Sequence, residues 1–227
     1  MSAAQEAELN TDGRTSVLAT SVLVVFLLAM TVTIANVSLP QMQGSLSATR
    51  DQVAWVVTSF LVANAVGVPA TGWLTDRLGS RRLIIWGTFG FSLATLSCAL
   101  APNLELLVLS RALQGLLGAP LTPLTMALVL SMYPRHQHGL VTAIFGIGVT
   151  IGPIVAPWLG GILAEDYGWR SVFFFAMPFA TLACFAVLVF IPRDRPQRER
   201  RLDLRGFIFF SLAIACFQLM FDLQQLH

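Results

Sequence analysis

The sequence predicts an all-α integral membrane protein, and three observations carry that reading. Of 227 residues, 56% are hydrophobic and 11% charged, with a mean hydropathy of +0.73, whereas soluble domains carry about a quarter charged residues. Charges are absent between Arg14 and Arg50, Asp51 and Asp76, Arg82 and Glu105, Arg111 and Arg135, Arg135 and Glu165, and Arg170 and Arg193; each gap accommodates a membrane span of about 20 residues. The runs also lack the two-residue alternation of a membrane barrel, so helices remain as the way to satisfy the backbone in lipid.

The first apolar run, 16–40, is longer than a secretory signal core of roughly 7 to 15 residues and is expected to stay in the protein as a helix. Further helices are expected over 52–74, 83–101, 104–132, 140–164 and 171–191, and a seventh from Gly206 to the chain end. This divides the chain into an N-terminal tail (1–15), a six-helix unit (16–191), an arginine-rich connector (192–205) and a last helix (206–227). The stop inside that helix, without a polar tail, predicts a truncated product.

Orientation follows from arginine placement, because positive charge is retained on the cytoplasmic side. With the N-terminus inside, Arg14, Arg77, Arg81, Arg82, Arg135 and the arginines from Arg193 to Arg205 are cytoplasmic. Arg50 and Arg170 then lie outside and Arg111 within a helix. The connector PRDRPQRERRLDLRG reads as a topology anchor rather than a lipid-specific site. A formal charge of +2 spread over short connectors does not suggest nucleic-acid binding.

Cys98, Cys184 and Cys216 sit in different apolar runs and read as small packing groups. His136 and His138, in MYPRHQHG, lack a cysteine or carboxylate neighbour and read as a solvated loop, so no metal and no cofactor are expected. There is no G-x-S-x-G, no H-E-x-x-H, and no histidine within the first six expected helices to activate a serine. Membrane proteolysis is thereby disfavoured, and the chain is not expected to be an enzyme.

The turn after the second helix reads GWLTDRLGSRR. Gly72 and Gly79 allow close helix approach and a tight reversal, Asp76 can meet the positive end of the next helix, and Arg77, Arg81 and Arg82 hold the loop inside. This turn resembles the cytoplasmic signature loop of the major facilitator superfamily. Within that superfamily, RDQVAWVVTSFLVANAVGVPATGWLTDRLGSRR, RALQGLLGAP, GIGVTIGPIVAPWLGGIL and TIANVSLPQM are similar to the fourteen-helix drug:proton antiporters, and QLMFDLQQ is similar to their extra central helix. The resemblance implies an N-terminal six-helix half of a major facilitator fold plus one extra transmembrane helix. That half comprises two three-helix inverted repeats, with helices one and four lining the path.

In helix five, Gly148, Gly152, Ala156 and Gly160 recur every four residues and make one smooth stripe. Pro153 and Pro157 each remove an amide donor and are expected to bend the helix. The resemblance makes this the antiporter motif, matched at Gly152 and Pro153 and at Gly160 and Gly161; a purely structural packing stripe is the alternative. Arg111 lies seven residues into helix four, roughly 10 Å deep at 1.5 Å per residue. Its burial is costly, so it faces the bundle interior or a wet cavity, or else snorkels to the headgroups. The resemblance gives it a role in proton exchange or substrate-site electrostatics.

Members of that family carry an acid in helix one where this chain has Thr31, and an Asn in helix six where it has Ala176. Proton coupling therefore rests on the resemblance, with Asp222 the deepest remaining acid besides Asp76. The expected path takes Thr31, Thr33, Asn36 and Ser38 from helix one and Arg111, Gln114, Thr122 and Thr125 from helix four. The function implied is proton-coupled export of drugs or other small organic compounds, with the bilayer and a second transporter half as partners, in the bacterial cytoplasmic membrane. The alternatives are a transporter of another solute on the same fold and a truncated membrane remnant that transports nothing.

Overall fold

A computed structural model describes the backbone of residues 3–192 and the side chains of residues 13–192. The connector beyond Pro192, the seventh helix, Cys216 and Asp222 lie outside the described residues. Among the described residues there is no strand. The helices are α1 (Ala3–Val37), α2 (Leu39–Ser45), α3 (Arg50–Leu78), α4 (Ser80–Leu100), α5 (Leu104–Gly118), α6 (Leu121–Met132), α7 (His138–Tyr167) and α8 (Arg170–Phe190), with one turn of 3₁₀ helix at Arg135–Gln137.

Six segments within them are long and apolar enough to cross a membrane: Gly13–Val37, Arg50–Leu78, Ser80–Leu100, Leu104–Met132, Arg135–Tyr167 and Arg170–Phe190. Their ends have local causes. Thr49 and Gln52 form a capping box, Gln52 N donating to Thr49 Oγ1 at 3.3 Å and Thr49 N to Gln52 Oε1 at 2.9 Å. Asn103 accepts from Leu106 N at 2.9 Å. Each bond satisfies a backbone donor left open in a first helical turn.

The structure corrects three expected boundaries. The first span closes at Val37 rather than Pro40, and the chain restarts as α2 with the proline in its first turn, where a missing amide donor does no harm. The fourth span divides into α5 and α6 at Ala119–Pro120, because Pro120 and Pro123 each withhold the N–H that would continue the ladder. Residues 3–15, expected as a tail, continue α1.

Packing repeats under exchange of the two three-helix sets. The first span packs on the fifth (α1 on α7) as the fourth packs on the second (α5 on α3); α1 meets α8 as α5 meets α4, and α4 packs on α8 across the middle. An inverted repeat requires this pattern. Where backbones approach most closely, glycine stands: a Cβ on Gly115 would collide with the Phe60 carbonyl, and one on Gly67 would lie 2.6 Å from Ala119 Cβ. Without water to drive association, such van der Waals contact is what holds spans together.

Candidate transport site

Arg111 is completely buried and points across the bundle, not along α5 to the headgroups. Its Nε donates to the Val56 carbonyl of α3 at 3.0 Å, and its Nη1 to Gln114 Oε1 at 2.6 Å. Gln114 Nε2 in turn donates to Thr95 Oγ1 of α4 at 2.6 Å, and Thr95 Oγ1 to the Phe91 carbonyl at 2.8 Å. The Phe60 ring covers the guanidinium carbon at 4.5 Å. Snorkelling, one of the two readings of the sequence, is thereby excluded. With Val56 O, Gln114 and an aromatic face at hand, the cation finds inside the bundle the partners it would otherwise seek at the headgroups.

The chain Val56–Arg111–Gln114–Thr95 links three helices, α3, α5 and α4, and leaves one group over. Arg111 Nη2 is buried without a hydrogen-bond partner among the described residues, and a buried donor in that condition is destabilising. Chemically, the arrangement can hold a positive charge in the span and offer an N–H to an acceptor that arrives when the helices move. Thr95 and Phe60 escaped the sequence reading, because a hydroxyl or an aromatic in an apolar run has no spacing that distinguishes a network member from a packing residue.

The other expected path residues do not gather around Arg111. Thr31, Ser38 and Thr125 are buried; they donate to the carbonyls four residues before them, Leu27 at 2.7 Å, Ile34 at 2.8 Å and Leu121 at 2.6 Å. Thr33 is half-buried and bonded to the Ala29 carbonyl at 3.2 Å, while Asn36 and Thr122 are exposed. The expected path residues thus divide into buried or half-buried groups and the exposed Asn36 and Thr122. Hydroxyls in an apolar span satisfy themselves on their own helix.

In the loop after the second span, Gly79 carries the reversal at φ 84°. A Cβ on Gly72 would meet nothing within 4 Å, so close helix approach is not its role among the described residues. The N-cap of α4 is Gly79, which offers no side chain to close the first turn. Asp76 lies in the last turn of α3, and side chains lean toward their own helix's N-terminus, away from the following helix. Arg77 stacks over Trp73 at 5.5 Å, Arg81 Nη2 donates to the Leu188 carbonyl of α8 at 3.1 Å, and Arg82 is exposed.

The α7 stripe lies against α1. A Cβ on Gly148 would stand 2.7 Å from Val22 Cγ1, one on Gly152 2.8 Å from Met30 N, and one on Gly160 2.7 Å from Ile34 Cγ1; Ala156 is buried between them. Gly161 is off this face, with nothing within 4 Å. Pro153 and Pro157 are exposed on the other side, and α7 runs unbroken through both. No three His, Cys, Asp or Glu side chains gather as a metal site among the described residues. His138 contacts the Tyr133 carbonyl at 2.9 Å.

Comparison with known proteins agrees with this architecture. A family model described as Major Facilitator Superfamily matches residues 21–223. The chain is 34% identical to Multidrug export protein EmrB of Escherichia coli over 88% of its own length and 39% of the relative's. It is 35% identical to Fatty acid resistance protein FarB of Neisseria gonorrhoeae, over 88% of the chain and 40% of the relative. It is 36% identical to Multidrug resistance protein B homolog of Mycobacterium tuberculosis, over 82% and 34%. The chain thus spans roughly two fifths or less of the length of these relatives.

Proposed function

Because this chain belongs to the Major Facilitator Superfamily, we propose that it forms the first part of a membrane exporter that moves drugs or other small organic compounds outward against an inward flow of protons. The reading leans on the names of its bacterial relatives, Multidrug export protein among them. The single structural observation that supports it is Arg111, a fully buried cation with one N–H unpartnered among the described residues. Cations inside spans are rare and mark ion or substrate pathways.

In this proposal Arg111, positioned by Gln114 and Thr95, supplies the field at the proton or substrate site, and Asp222, in the segment the sequence predicts as a seventh helix, is a candidate acid. Asn36 and Thr122, exposed on the first and fourth spans, line the substrate side. The 72–82 loop with Gly72, Asp76, Arg77, Gly79, Arg81 and Arg82 is the conformational switch. The α7 helix, with Gly148, Gly152, Pro153, Pro157, Gly160 and Gly161, is the antiporter-motif element that keeps the first and fifth spans moving together. A second transporter half is the proposed partner, since alternating access rocks one bundle against another. The arginine distribution supports a cytoplasmic N-terminus.

The test is gradient-driven flux. The chain joined to a matching second half is reconstituted in liposomes carrying a pH gradient, and uptake of a fluorescent amphipathic dye is followed. The proposal expects saturable uptake that a protonophore abolishes and that Arg111→Gln reduces at least tenfold at equal protein content. Flux insensitive to the gradient would refute proton antiport, and a wild-type rate in Arg111→Gln would remove Arg111 from the mechanism.

A further inference from the structure

The two turns that join the second and third helices of each repeat are built alike. Gly79-Ser80-Arg81 connects α3 to α4, and Gly168-Trp169-Arg170 connects α7 to α8, with the glycines at φ 84° and 81° and ψ 148° and 162°. The third helices also end alike. α4 runs into Ala101-Pro102 and α8 into Ile191-Pro192, with cap residues at φ −60°, ψ 121° and φ −72°, ψ 119°.

A proline after a helix withholds an amide that would serve the last carbonyls, and those acceptors need a donor from elsewhere. The carbonyl of Leu188 falls four residues before Pro192, which has no N–H to give. Arg81 Nη2 donates to that carbonyl at 3.1 Å; at the other end of the pair, where the Cys98 carbonyl four residues before Pro102 takes Ala101 N at 3.4 Å, Arg170 Nη2 donates to the carbonyl of the cap residue Ala101 at 2.7 Å. The Arg170 guanidinium is held over the Trp169 ring at 4.3 Å. A cation at a helix C-terminus also meets the negative end of the helix dipole.

We propose that Arg81 and Arg170 are equivalent clasps, one at each end of the antiparallel α4–α8 pair, each closing the proline-terminated end of the other repeat's third helix. Each arginine stands at the start of one helix and binds the end of the other, so the two bonds fix the register of the pair at both membrane faces. The α4–α8 pair becomes a single stiff unit against which the remaining spans move. Arg170 thus acquires a role that a lone charge outside the spans does not suggest.

Amide hydrogen exchange on the full-length protein in nanodiscs reads each clasp separately. Arg170→Met should speed exchange about tenfold over residues 97–101 and leave 187–191 unchanged, as expected for loss of a charge-assisted bond. Arg81→Met should do the reverse. Arg→Lys at either site should retain most of the protection, because an ammonium still donates. Pro192→Ala in the Arg81→Met background should restore slow exchange at 187–191, since it supplies the amide that Leu188 lacks. Unchanged exchange at the clasped end, acceleration at both ends from one substitution, or no recovery with Pro192→Ala would each overturn the proposal.

Discussion

Replacing Gly152 by leucine tests how the first and fifth spans are held together. A Cβ at Gly152 would lie 2.8 Å from Met30 N and 3.0 Å from the Phe26 carbonyl oxygen. Both are backbone atoms of α1, which cannot rotate aside as a side-chain tip can. Reaching ordinary contact at 3.4 Å requires the helices to part by ~0.6 Å (3.4 − 2.8) for the first carbon alone, and leucine adds three more. Overpacking of this kind costs about 1–3 kcal/mol. At about 2–4 °C per kcal/mol for a chain of this size, the melting midpoint should fall by about 2–12 °C.

The control is Gly161→Leu on the same helix, where a Cβ meets nothing within 4 Å and the same loss of backbone freedom and gain of apolar surface occur. Melting is followed by size-exclusion chromatography of the heated, detergent-solubilised full-length protein carrying a fluorescent tag. The Gly152 variant should melt early and the Gly161 variant near the wild type. Equal midpoints for the two would refute the close α1–α7 packing from which the effect is derived.

Three further outcomes follow from the site and the charge pattern. Gln114→Ala strips Arg111 Nη1 and Thr95 of their shared partner, and each buried group left unsatisfied costs about 1–3 kcal/mol; a loss of melting temperature comparable to that of Gly152→Leu is expected, and an unchanged midpoint would mean that the network is not closed in solution. Asp76→Asn, in the last turn of α3, should leave protein abundance unchanged while lowering the transport rate of the joined transporter severalfold; wild-type flux would make Asp76 a surface residue. Cysteines placed at Ser80 and Gln197 in a cysteine-free background should resist a membrane-impermeant thiol reagent added outside intact cells, and ready labelling of both would invert the proposed topology.

The positions of the six spans among the described residues were legible in the sequence because the bilayer penalises charge locally: each of the six long charge-free intervals there became helical. Where a helix turns was also legible when one residue decides it, as at Gly79. Proline alone did not decide where a helix breaks: the fourth span, expected as one helix, divides at Ala119–Pro120 into α5 and α6, while α7 runs unbroken through Pro153 and Pro157.

Direction was another matter. Seven residues into its helix, Arg111 had the reach to go to the headgroups or into the bundle, and only the arrival of Val56 O, Gln114 and Phe60 from a different turn and a different helix decided it. The glycine stripe of α7 declared that something packs closely without saying what; Val22, Met30 and Ile34 of α1 are the answer. Thr31 and Thr125 read as pocket groups and instead serve their own carbonyls, because a hydroxyl in lipid takes the nearest acceptor. Sequence periodicity reports what a segment must do to lie in a membrane, whereas the choice among partners within reach belongs to helices distant in the chain and is made only when they pack.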